Sequence, residues 1–64
     1  MVKIKNKEYN VKNLICVSYA TSEKNQKSYT ILEFIKEEKK FIEVKDQNEH
    51  DEIINTIKNY LEKN

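Results

Sequence analysis

The chain has 64 residues, of which 38% are apolar, and its 12 lysines and 11 acidic residues leave a formal net charge of +1. At this length a domain buries only ~60% of the surface its unfolded chain exposes, so stability is marginal and a subunit interface is the cheapest source of extra burial. A single cysteine excludes an internal disulfide, and the near-zero charge argues against a polyanion as the main partner.

Arg, Gly, Pro and Trp are absent and Ala occurs once, whereas 12 Lys, 8 Asn and 8 Ile make up 28 of the 64 residues. The missing residues mostly use GC-rich codons and the abundant ones AT-rich codons, which points to a low-GC bacterium or one of its phages or plasmids. Every positive charge is a lysine, without the planar fork that reads guanine or grips a carboxylate through two parallel bonds.

In chain order, Val2 and Ile4 alternate with Lys3 and Lys5, the period of a half-buried strand. Asn6 and Lys7 are expected to turn the chain, with Asn6 taking a positive φ because no glycine is present. A strand region follows from Glu8 to about Ala20, with a kink or bulge expected at Lys12 and Asn13. Cys16 lies there in the apolar run LICV and is expected to be a small buried hydrophobe. The polar stretch TSEKNQKS from Thr21 to Ser28 reads as a loop and as the most mobile segment.

SYTILEFIK and KFIEVK read as two more strands. A three-residue connection through Glu37, Glu38 and Lys39 would place Leu32 and Phe34 beside Ile42 and Val44 on one face, at the cost of setting Glu33 opposite Glu43. The final segment is an amphipathic helix from about Asn48 to Glu62, its apolar stripe formed by Ile53, Ile54, Ile57, Tyr60 and Leu61. The expected fold is one α+β domain over residues 1–64: a four- or five-stranded antiparallel meander, strands within 2–45, with the C-terminal helix on one sheet face. One helix cannot cover both faces, so part of the second face is exposed or pairs with something.

The only histidine, His50, sits in KDQNEHDEII among Asp46, Glu49, Asp51 and Glu52. This is how a helix begins: Asp46 or Asn48 caps the free N–H groups, and the acids complement the positive end of the helix dipole. The carboxylates fan around the first turn and do not converge as metal ligands would. No nucleophile motif and no Gly-rich turn is present. The reading is a non-catalytic protein with no metal, no cofactor and no small-molecule substrate.

Net charge is +3 over residues 1–35, −3 over 36–52 and +1 over 53–64. Two surfaces are therefore candidates. The first is the second sheet face and its strand edges, with Tyr29, Ile31, Glu33, Ile35 and Phe41, serving a homodimer or another protein partner. The alternative is a basic patch of Lys3, Lys5, Lys7 and Tyr9 that would suit an accessory protein binding nucleic acid. A membrane partner is not expected, because the helix carries mixed charge on its polar face, and with no apolar leader the expected compartment is the cytoplasm.

Strands followed by a C-terminal helix, read on FIEVKDQNEHDEIINTIKNYL, resemble the meander-plus-helix part of pleckstrin-homology-like domains. That stretch is about a third of the chain and carries no lipid-headgroup motif, so the resemblance implies an architecture and assigns no residue a role. The most concrete functional expectation is a small binding module, in the form of a phage or mobile-element protein that inhibits a host factor by occupying it.

Overall fold

The computed structural model describes residues 1–63 and shows an α+β fold. Strands β1 (Val2–Ile4) and β2 (Lys7–Tyr9) form a hairpin, and a 3₁₀ turn over Val11–Asn13 leads into β3 (Leu14–Thr21), β4 (Ser28–Phe34) and β5 (Lys40–Val44). Helix α1 spans Gln47–Lys63, within a residue of the expected bounds. All strand pairs are antiparallel.

The five strands follow one another as antiparallel neighbours, as expected, with one break in the hydrogen bonding. They divide into a two-stranded sheet, β1-β2, and a three-stranded sheet, β3-β4-β5. The break lies where Asn10 caps the 3₁₀ turn by accepting from the Lys12 N–H at 3.3 Å. This turn redirects the backbone and drives Val11 into the core at 2% exposure. The hairpin thereby folds over the larger sheet as cover, with Val2 and Ile4 pointing inward.

Pairing of Ile4 with Lys7 leaves Lys5 and Asn6 as the two turn residues, at φ 48° and 72°. Asn6 is left-handed as expected, but the turn sits one residue earlier than Asn6-Lys7. The reason is geometric: this tight turn needs two successive positive φ values to match the strand twist. Gln26 and Lys36 are left-handed too, at 61° and 58°. A chain without glycine makes these bends with residues that carry a Cβ, at about 1–2 kcal/mol each for ordinary side chains.

Alternation in β4 and β5 sends Thr30, Leu32, Phe34, Ile42 and Val44 to one face, where Ile53 and Ile57 of α1 close over them. The register differs from the expected one. Thr30 pairs with Ile42 and Ile31 with Phe41, across a longer connection of residues 35–39. This four-residue shift sets Glu43 opposite Tyr29 and removes the glutamate pair that the shorter connection would impose. The faces survive because four is a multiple of the strand period.

Leu61 departs from the expected stripe and is 45% exposed. It lies two turns after the half-buried Ile54, on the same flank of the helix, whereas Tyr60 beside it still packs against the core. The segment from Thr21 to Ser28 is tied rather than loose: the Ser22 N–H donates to the Lys27 carbonyl at 2.8 Å, and the Gln26 N–H to the Ser22 carbonyl at 2.9 Å.

Leu32 is fully buried at the centre of this core. Its replacement by alanine is expected to cost about 2–5 kcal/mol, a large share of the stability of so small a domain. Urea denaturation of Leu32→Ala followed by circular dichroism should show a broad loss of the folded baseline.

Candidate functional site

Helix and hairpin both lie on the inner face of the three-stranded sheet, so the outer face has no cover within the described residues. Its make-up follows from one irregularity. The ladder pairs Leu14 with Phe34 and Cys16 with Glu33, so Ile15 is an extra residue and a bulge forms there. A bulge sets two residues against one and lets both share a face. Leu14 and Val17, three positions apart, can then both point toward the core, while Ile15 and Cys16 are exposed on the outer side.

Cys16 is thus not the buried thiol that the run LICV suggests; it is exposed, because the bulge resets the alternation just before it. Ser18 and Ala20 continue the outer row of β3. They pair with Ile31 and Tyr29 of β4, which in turn pair with Phe41 and Glu43 of β5. Small side chains on β3 make a shelf beside larger ones on β4 and β5.

Of the residues singled out from sequence, Tyr29, Ile31 and Phe41 come together. Tyr29 and Phe41 meet edge to face, with ring centroids 6.2 Å apart and an interplanar angle of 84°. Asn25 donates to the Tyr29 hydroxyl at 3.3 Å and orients that ring. Glu33 is at the bulge end, 3.8 Å from the Lys39 ammonium. The Ile35 N–H donates to the Asn13 carbonyl at 3.0 Å, which continues the ladder by one residue and keeps Ile35 in the outer alternation. Ile15, Ile35 and Phe41 are 60%, 52% and 61% exposed. Sequence reasoning missed Ile15, Cys16, Ser18 and Ala20; the period of two in CVSYA offered the last three, but the bulge that exposes Ile15 left no local signal.

Lys5, Lys7 and Tyr9 line one hollow beside β5, and Lys3 lines a second with Lys5 at the helix start. Lys3 pairs across the hairpin with Glu8, and Tyr9 is stacked on Phe34 at 6.2 Å with rings 7° apart. Lys5 reaches back to the helix start: its ammonium is 2.8 Å from Glu49 Oε1 and 2.6 Å from the Glu43 carbonyl oxygen. Lys7 is exposed on β2.

The acidic stretch does what a helix start requires. The Asp46 carboxylate accepts from the Glu49 N–H at 3.0 Å, and Glu49 Oε1 accepts from the Lys45 N–H at 3.1 Å, so each satisfies an otherwise unbonded donor. His50 turns inward, with Nδ1 2.8 Å from the hydroxyl of fully buried Thr30 and its ring 5.0 Å from that of Tyr19. Leaving that hydroxyl unbonded would cost about 1–3 kcal/mol. Among the described residues no group of three His, Cys, Asp or Glu side chains is arranged to hold a metal ion, and no helix is long and apolar enough to cross a membrane. No family model matches the chain, and neither a curated protein nor a solved structure matches it.

The hydrogen bond from Lys5 lowers the pKa of Glu49, helped by the Lys45 N–H and opposed by partial desolvation. A depressed carboxylate stabilises the fold above its unfolded value, and that contribution is lost as the pH falls through the folded one. Glu49→Gln should therefore lower the urea midpoint near neutral pH and flatten its decline through the carboxylate range. The exposed Cys16 should react stoichiometrically with an aromatic disulfide reagent in native buffer, at nearly the rate seen in denaturant.

Proposed function

We propose that the protein is a non-catalytic protein-binding module that works through the outer face of the β3-β4-β5 sheet. The supporting observation is the uncovered apolar strip of Ile15, Ile31, Ile35 and Phe41, set against nine buried hydrophobic residues among the described residues. Large apolar residues gathered on one exposed face mark an interaction site.

A second copy suits this face first. Its centre is apolar, and its two acids already face lysines, Glu33 toward Lys39 and Glu43 toward Lys27 at 3.5 Å. Two identical faces therefore meet without net repulsion. A three-stranded face with a central strand of seven residues measures roughly 14 by 24 Å, about 340 Å² a side and below the ~800 Å² a side of a standard stable interface. The contact is accordingly reversible and concentration-dependent. Size and codon usage support a more particular form of the same reading: a cytoplasmic mobile-element protein whose apolar face is exchanged from its own copy onto a host factor, which it inhibits by occupation.

Size-exclusion chromatography with light scattering over a wide concentration series is expected to show a monomer–dimer equilibrium. Ile35→Glu and Phe41→Glu should each shift it to monomer with an unchanged circular dichroism spectrum. A wild type that stays monomeric throughout, or variants that dimerise equally well, would refute self-association through this face.

A further inference from the structure

We propose that the cleft between β2 and β5 receives an extended acidic peptide, which adds to the free edge of β5 as a further antiparallel strand. This site adjoins the outer face, with which it shares Phe41, but it uses the backbone of the β5 edge and does not depend on self-association.

The argument begins with which backbone groups point where. Alternate residues of a strand send their N–H and C=O to opposite edges. The Ile35 N–H is bonded toward β3, to the Asn13 carbonyl, so the odd-numbered residues of β4 face β3 and the even-numbered ones face β5. Ile42 and Val44, opposite Thr30 and Ser28, then bond to β4, whereas Phe41, Glu43 and Lys45 turn their backbone groups outward. Two contacts agree with this assignment. The outward carbonyl of Glu43 takes the Lys5 ammonium at 2.6 Å, and the outward N–H of Lys45 donates to Glu49 at 3.1 Å.

What remains at this edge is the N–H and C=O of Phe41 and the N–H of Glu43, for which the described residues offer no partner. These are the groups with which an antiparallel strand bonds. One peptide residue would exchange both bonds with Phe41, and a carbonyl two residues earlier in the peptide would accept from Glu43.

The space beside the edge is open. Two adjoining hollows of about 560 and 460 Å³ run along it, sharing Lys7, Tyr9 and Phe41 as lining. Each is within the ~300–1,000 Å³ of ligand clefts. Tyr9, held by its stack on Phe34, supplies an apolar wall, and the hairpin, which does not pair with β5, supplies the opposite side.

Charge selects the occupant. Lys7, Lys40 and Lys45 line the cleft and make no ion pair among the described residues. Along its inner part the only acid is Glu43, whose carboxylate faces Lys27 instead. A second β5 edge would bring the same lysines with it and be repelled, the usual protection of a free edge. A segment carrying carboxylates would be attracted. Glu8 and Glu37 oppose any anion along the outer part, so the attraction rests on Lys7, Lys40 and Lys45. Nucleic acid fits less well, because the aromatic rings at hand are engaged with one another, Tyr9 with Phe34 and Phe41 with Tyr29.

The probe is a fluorescein-labelled peptide of alternating Glu and Val, about seven residues long so as to span β5 and its flanks. Anisotropy should show that it binds wild type, and amide exchange should show new protection at Phe41 and Glu43. The combined variant Lys7→Glu and Lys40→Glu should weaken binding by about tenfold or more, while Lys58→Glu with Lys63→Glu, the same charge change on the helix, should leave it unaltered. N-methylation of the peptide backbone should abolish binding. Absence of binding, equal binding of a Lys-Val peptide or of the N-methylated peptide, or protection confined to other strands would each overturn the proposal. So would an oligothymidylate that displaced the peptide and protected the same two amides. A wild type found to be monomeric would leave this result untouched.

Discussion

Apolar burial around Leu32 holds this fold together, and Glu49 is where its three parts meet at the surface. Its carboxylate takes the Lys5 ammonium from the hairpin turn and the Lys45 N–H from the end of β5, while its own N–H is held by Asp46. Hairpin and helix lie on one side of the sheet because Val2, Ile4, Val11, Ile42, Val44, Ile53 and Ile57 share one core. All the cover that this short chain possesses is committed to the face of Leu32 and Ile42. The opposite face keeps its apolar residues in water because no element among the described residues shields them.

Within the covered face, polar pairing gives the helix a defined position. Ile53 and Ile57 supply burial, which is non-directional. The Thr30–His50 hydrogen bond is directional and joins the centre of β4 to the first turn of α1. No buried side-chain nitrogen or oxygen among the described residues lacks a partner. A helix sliding along its own axis would keep apolar contact but strand the Thr30 hydroxyl. The histidine, read from the sequence as part of an ordinary helix start, thus has a packing role as well.

What could be read in advance was carried by signals within about four residues. The cap at Asp46, the helix from its three- and four-residue spacing, the left-handed Asn6 and the inward set of β4 and β5 are all of this kind. The connection between β4 and β5 was expected to be shorter than it is, yet the core residues were the same, because a shift of four preserves the strand period. Non-local features were not legible: the separation of the hairpin from the larger sheet, the pairing of His50 with Thr30 twenty residues away, and the exposure of Cys16. The candidate face was readable on β4 and β5 and hidden on β3, where the bulge changed the alternation.

That bulge also separates what the fold needs from what it carries. With Ile15 excised, Leu14 and Cys16 would become consecutive, their partners Phe34 and Glu33 would already be in step, and every inward contact of β3 would persist. Isoleucine at this point is thus dispensable for the architecture, an inserted residue whose side chain serves only the solvent side.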